Sequence, residues 1–420
     1  MSTTSTQPEA DTRSFAWLRT LGPRGRRAFA GAFGGYALDS YDFQVLPLAM
    51  VAIGAYFGIS KGEAGLLTTV TLVVSAVGGV IAGVLADRIG RANALLITVA
   101  TYALFTVLCG FAPNFGTLLT FRALQGLGFG GEWATGAILV AEYASSRYRG
   151  RTVAFIQSSW AVGWGLAVLV YTLVFGLVGP DMAWRVLFWT GALPALLVLY
   201  VRRNVQDAPE SQRRRETTDR RPFQAIFGRD LARTTIFATV LATGVQGGYY
   251  TLATWLPSYL KTERGLTVVG TGAALAVPII GAFIGYLCGG YLTDKLGRKP
   301  NIVLFAVASA VLIVVYTHIP KGANLAALLL GFPLLFCASA IFSGFGSYLA
   351  ELYPAEVRGS GQGFTYNFGR AIGAFFPTVV GFLASSSLGI GGAMGFGALG
   401  YAVAALALLG LPETRGRDLT

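Results

Sequence analysis

The chain is short of charge, of histidine and of cysteine. Of 420 residues, 12% are charged, one is histidine and three are cysteine. The single His318 stands at an expected helix end, which argues against zinc or haem chemistry and against a histidine proton relay. Cys109, Cys288 and Cys337 lie far apart inside apolar runs, without metal-ligand spacing, and read as small apolar fillers. No metal and no cofactor is expected. An enzyme embedded in the apolar segments would need a nucleophile–base set or metal ligands there, and neither is supplied. Scarcity of charge also argues against a soluble chain, in which about a quarter of residues are charged.

What is present fits a bilayer. Hydrophobic residues make up 54% of the chain, and mean hydropathy is positive. A membrane helix needs about 20 mostly apolar residues. Twelve such segments are expected, near 28–56, 64–86, 93–111, 116–142, 150–176, 184–201, 234–260, 268–292, 301–318, 325–351, 359–385 and 390–411. The fold class is therefore all-α integral membrane. The polar first 27 residues show no short apolar core with a cleavage site, so the first span is expected to act as its own insertion signal.

Charge in the loops sets orientation. Arg88 and Arg91, then Arg147, Arg149 and Arg151, the basic stretch from Arg202 to Arg233, Lys295, Arg298 and Lys299, Arg358, and Arg415 with Arg417 fall in alternate loops. The intervening loops are short and carry little charge. Both termini and the middle loop are thus expected in the cytoplasm, in a cell (plasma or inner) membrane. This placement accounts for the net charge of +12 without nucleic acid as a partner. The expected division is a tail over 1–27, a six-helix half over 28–201, a linker over 202–233, a second six-helix half over 234–411 and a tail over 412–420.

The halves repeat each other. Gly83-Val-Leu-Ala-Asp87-Arg-Ile-Gly-Arg91 ends the second span, and Gly290-Tyr-Leu-Thr-Asp294-Lys-Leu-Gly-Arg298 ends the eighth. Glu142 stands before Arg149-Gly150 after the fourth span, as Glu351 stands before Arg358-Gly359 after the tenth. Repeats related by an axis along the membrane normal are one layout of secondary transporters. Gly83 and Gly290 permit close helix approach. Asp87, Arg91, Glu142 and Arg149 in one half, and Asp294, Arg298, Glu351 and Arg358 in the other, are candidates for ion pairs that hold the cytoplasmic seam shut.

Charges inside a bilayer are costly, and they tend to line cavities and serve function. Five stand clear of the loops: Asp39, Asp42, Arg122, Glu132 and Arg370. Asp39 and Asp42 are one turn apart on the first span, so they are read as projecting from one face. Two like charges this close resist ionising together, which makes the pair a candidate proton station. Arg122 and Gln125 share a face of the fourth span, with Glu132 about two turns beyond Gln125. Arg122 is a partner for Asp39 or Asp42, or for a carboxylate bound by its fork of donors. Arg370, one turn after Asn367, is the one cation well inside a span of the second half. Gln157, Trp160 and Trp164 on the fifth span and Gln246, Tyr249 and Tyr250 on the seventh are candidate cavity walls.

These motifs resemble the major facilitator superfamily. The two G-x-L-x-D-[RK]-x-G-R loops resemble its signature. Arg122 to Trp133 resembles the fourth-span motif of its metabolite–proton symporters, and Leu411-Pro412-Glu413-Thr414-Arg415-Gly416 resembles its usual chain ending. Asp39-x-x-Asp42-Phe resembles the first span of symporters for sialic acid, lactate and aromatic acids. The seventh span lacks the histidine of fungal-type lactate permeases, and its aromatics tilt the reading towards larger or aromatic acids. The resemblance implies a monomeric transporter without enzyme activity. It implies alternating access, with Asp39, Asp42 and Glu132 carrying H+ and Arg122 and Arg370 drawing a small organic anion to a site between the halves. The alternative within the same fold is a proton-coupled efflux antiporter for a cationic or drug-like compound.

Overall fold

The computed structural model describes residues 21–143, 149–193, 223–354 and 356–415. The described residues form helices joined by short turns. The first half holds α1 (Gly22–Phe57), α2 (Lys61–Ile89), α3 (Arg91–Cys109), α4 (Phe115–Tyr143), α5 (Arg149–Leu177) and α6 (Pro180–Trp189). The second holds α7 (Ala232–Thr262), α8 (Val268–Leu296), α9 (Arg298–Thr317), α10 (Asn324–Glu351), α11 (Arg358–Gly373), α12 (Phe375–Ala384), α13 (Gly389–Met394) and α14 (Phe396–Ala407). Helices suit this sequence because lipid offers no partner to backbone N–H and C=O groups, and a helix satisfies both within itself. Seven segments among the described residues are long and apolar enough to cross a membrane unaided.

Helix ends follow local chemistry. α1 begins at Gly22, six residues before the apolar run, because Pro23 is pre-set for a first helical turn. It ends on Gly58, whose φ of 64° is left-handed and suits glycine. The eleventh span breaks at Ala374, three residues before Pro377, whose missing N–H and bulky ring interrupt the helical ladder. Neighbouring helices donate near this break: Thr69 Oγ1 to Ala374 O at 2.5 Å, and Trp255 Nε1 to Pro377 O at 2.9 Å.

The two halves repeat in packing as well as in sequence. In the first, α2 lies on α4, α3 on α4 and α1 on α5; in the second, α8 lies on α10, α9 on α10 and α7 on α11. Small residues bring these helices together. A Cβ placed on Gly130 of α4 would fall 1.7 Å from the Ser75 carbonyl of α2. The halves meet along α5–α8, along α2 with α11 and α12, and along α1–α7.

Candidate functional site

A narrow cavity of about 20 Å³ lies where the halves meet. From the first half, Tyr36 and Asp39 of α1, Phe129 of α4 and Trp160 of α5 line it. From the second come Tyr249 and Tyr250 of α7, Tyr286 of α8, Phe342 of α10, and Tyr366 and Arg370 of α11. The wall is aromatic, with one carboxylate and one guanidinium. A volume near that of one or two water-sized spheres means the rings close on each other. Phe43 seals the floor, with ring centroids 5.6 Å from Phe129, 5.7 Å from Tyr250 and 5.8 Å from Trp160.

Arg370 is 3% exposed. Its guanidinium carbon stands 4.8 Å from the Tyr366 ring centre and 5.5 Å from that of Phe129. Its Nε donates to Gln246 Oε1 and its Nη1 to Ser75 Oγ, both at 3.4 Å, near the outer limit of a hydrogen bond. Gln246 is itself held by donating to the Tyr366 carbonyl at 3.0 Å. Arg370 therefore spans the seam, with Ser75 and Phe129 in the first half and Gln246 and Tyr366 in the second. A carboxylate would replace these two long contacts with short, charge-assisted bonds. Asp39 lines the same cavity.

Asp42 belongs to a different environment. On α1 it is 1% exposed and points into the first half. Thr106 of α3 donates to Asp42 Oδ2, and Gln125 Nε2 of α4 donates to the same oxygen at 3.1 Å and to Thr106 Oγ1 at 2.6 Å. Arg122 Nη1 donates to Gln125 Oε1 at 2.5 Å. Carboxylate, amide and guanidinium thus form one chain. Arg122 is fully buried, and its Nε and Nη2 find no acceptor. Three residues along a helix turn through 300°, so side chains at 39 and 42 differ by about 60°. That is enough to send Asp39 to the cavity and Asp42 behind it, and the two acids do not form one station.

The remaining candidates sort by place. Trp160, Tyr249 and Tyr250 line the cavity. The Trp160 carbonyl accepts from Ser40 Oγ at 2.6 Å, tying α5 to α1. Gln157 is buried on α5 outside the cavity lining. Asn367 packs on the α2 backbone near Gly79 and donates to Gly363 O at 2.9 Å, so it serves the seam. Trp164 is buried in the core. The side chains of Asp87, Arg91, Glu132, Glu142 and Arg149 lie outside the described residues. Sequence reasoning missed Tyr36, Phe129, Tyr286, Phe342 and Tyr366. Tyr36 carried a signal, one helical turn before Asp39; the others are aromatics among many.

The second-half loop cluster is assembled. Arg298 Nη2 meets Glu351 Oε1 at 3.0 Å, and Arg298 Nη1 meets Asp294 Oδ1 at 3.5 Å. Thr414 Oγ1 donates to Glu351 Oε2 at 2.6 Å. Glu413 accepts from the backbone N–H groups of Arg415 and Thr414 at 2.8 Å, and of Arg298 and Lys299 at 3.0 Å. It caps the start of α9 with a negative charge, where a helix favours one. Partial burial opposes ionisation, but these four donors hold the Glu413 carboxyl below its ordinary range. Arg358 opens α11. The paired glycines differ. A Cβ on Gly290 would fall 2.7 Å from Ala154 Cβ of α5, whereas one on Gly83 would meet nothing within 4 Å among the described residues.

Comparison with known proteins agrees with this architecture. The profile of the Major Facilitator Superfamily matches residues 32–377 and 272–419. The chain is 42% identical over 407 residues to a probable 4-methylmuconolactone transporter of Cupriavidus pinatubonensis, covering 96% of this chain and 94% of that one. It is 31% identical over 373 residues to the cis,cis-muconate transport protein of Acinetobacter baylyi, covering 87% and 89%. The crystal structure of a D-xylose-proton symporter superposes with a TM-score of 0.75 at 20% identity, covering 96% of this chain and all of that one. The chain belongs to the major facilitator superfamily. It is a multi-pass, all-helical membrane transporter of the fold whose solved members have twelve helices, and not an enzyme.

Proposed function

We propose that this transporter is a proton-coupled symporter of a small organic anion, working by alternating access of its two halves about the central cavity. The observation that carries this reading is the pairing of one guanidinium, Arg370, with an aromatic wall at the seam between the halves. A planar or unsaturated acid suits such a site: its carboxylate engages the arginine fork and its body lies against rings. Two relatives are named for a methylmuconolactone and for cis,cis-muconate, compact unsaturated molecules of this kind. A buried cation is a poor lining for a cationic cargo, which weighs against drug efflux. The protein acts as a monomer in the cell membrane with both termini in the cytoplasm, as loop charge implies.

The test is reconstitution into liposomes holding a pH-sensitive dye. A panel of carboxylates is added outside, and proton entry is followed for wild type and Arg370→Ala. Symport predicts proton entry with one class of acid and none in the variant. Counterflow driven by lipophilic cations, with no acid moving protons, would instead establish efflux antiport.

A further inference from the structure

We propose that Trp160, Tyr249 and Tyr286 form a second recognition point in the central cavity, which reads a neutral hydrogen-bond acceptor on the cargo and selects monocarboxylates carrying one over dicarboxylates. This rests on the symport reading above and names the cargo class within that site.

The cavity runs between two seams. At one, α2 meets α11, and Arg370 stands there with Ser75 of α2 beside it. At the other, α5 meets α8, and these helices supply Trp160 and Tyr286. Phe129 lies between, its ring centre 5.5 Å from the Arg370 guanidinium carbon and 6.3 Å from the centre of the Trp160 ring. A cargo of one small ring with a short carboxylate arm therefore spans the distance from one seam to the other.

Trp160, Tyr249 and Tyr286 are 5%, 3% and 2% exposed. The Trp160 Nε1–H and the Tyr249 hydroxyl are both buried, and neither makes a well-formed hydrogen bond. They stand beside each other, with the Tyr286 hydroxyl next to that of Tyr249. Trp160 is held in place: its carbonyl accepts from Ser40, and its ring packs 5.2 Å from that of Tyr36. A buried donor without an acceptor is costly, and a cargo atom with a lone pair relieves that cost. A cargo lacking such an atom leaves the donors unsatisfied, which is how a polar site rejects an apolar analogue.

The chemistry asks for a neutral acceptor. Indole N–H and phenol O–H donate without supplying positive charge. Among the described residues, Arg370 is the one cation lining the cavity, and the first carboxylate takes it. The other titratable lining groups are Asp39 and phenols, none of them cationic. A second carboxylate at the far end would be a buried charge without a counter-charge. A lactone or ester carbonyl, or a ring nitrogen, carries the lone pair without that charge.

The test uses purified full-length protein in liposomes at neutral pH and three radiolabelled acids. Muconolactone carries one carboxylate and a lactone carbonyl. Cyclopentenylacetate keeps a five-membered ring and the carboxylate arm but lacks the carbonyl. The diacid cis,cis-muconate carries two carboxylates. The half-saturating concentration for exchange is measured for each. Wild type should take the lactone acid at a concentration about tenfold below either of the others. In Trp160→Phe and in Tyr249→Phe, the ratio of the carbocyclic to the lactone value should fall by about three- to tenfold. Reading a ratio cancels a general loss of packing. If either variant fails to fold, Tyr286→Phe gives the same ratio. The assignment is overturned if wild type takes all three acids alike, if it prefers the diacid, or if the ratio is unchanged in variants that fold. Those outcomes leave symport standing. Wild-type protein that moves none of the three acids sinks the symport reading itself, and the assignment with it.

Discussion

Arg122 and Arg370 are both cations buried at depth, one in each half, yet they sit in opposite surroundings. Arg122 is enclosed on every side and tied by a short bond to Gln125, which reaches Asp42. Arg370 lies on the wall of a cavity shared by both halves, between two ring faces and two long hydrogen bonds. A buried charge with its partner in the same half stabilises that half. A buried charge whose partners are weak and lie on both sides of the seam is open to exchange. What a charge does is therefore set by where its counter-charge resides, and depth alone does not separate structure from transport.

Four predictions bear on this contrast. The largest effect is expected from Arg370→Ala. Truncating one member of a buried charge contact costs about 2–5 kcal/mol, so carboxylate uptake should fall by more than about 30-fold. Arg370→Lys should recover little, since an ammonium lacks the fork. Uptake kinetics in liposomes measure both, and a lysine variant with wild-type uptake would break the contrast. Next, Arg122→Met should destabilise the protein by about 3–5 kcal/mol by leaving Asp42 without its matching charge. Adding Asp42→Asn should restore part of that loss, as thermal melting in detergent would record; strictly additive effects would mean the two are not coupled.

Third, Gly290→Val should cost about 1–3 kcal/mol by overpacking against Ala154. The matching Gly83→Val meets no described atom within 4 Å and should melt as wild type does. Equal destabilisation of the two would show that the seams are alike. The smallest effect concerns Glu413. Its carboxyl is held below the ordinary range in the folded protein, so its contribution is present above the unfolded value of about 4.3 and is lost as pH falls through the folded one. Melting followed from pH 6 to pH 3 should show a small acid loss that Glu413→Gln removes. The site is largely exposed, so the difference is modest.

Much of the architecture was legible in the sequence because its signals are long and redundant. Apolar runs of bilayer length, alternating loop charge and two copies of two motifs all point to twelve spans in two halves. The intramembrane charges were legible for the same physical reason, since a bilayer makes each one costly. Their partners were not. Thr106 is one threonine among many on apolar helices, and only the fold brings it to Asp42. The i,i+3 spacing of Asp39 and Asp42 suggested a common face, yet the wall between cavity and half runs through the 60° that separates them. The aromatic lining was hidden because Phe and Tyr are abundant everywhere in this chain. The break at Ala374 follows from Pro377, but Pro47, Pro257, Pro278 and Pro333 lie within continuous helices. A proline therefore does not by itself mark a broken span.

The closed aromatic cavity has a consequence for how this protein should be tuned. Its rings touch one another, so a cargo must first part them. The affinity measured at equilibrium is then the attraction of the cargo less the cohesion of the wall. Trimming a ring such as Phe342 to leucine lowers that cohesion, and it should yield a protein that grips its cargo more tightly and releases it more slowly. A strong binder obtained this way would be a poor carrier. Turnover here depends on a wall that prefers its own company.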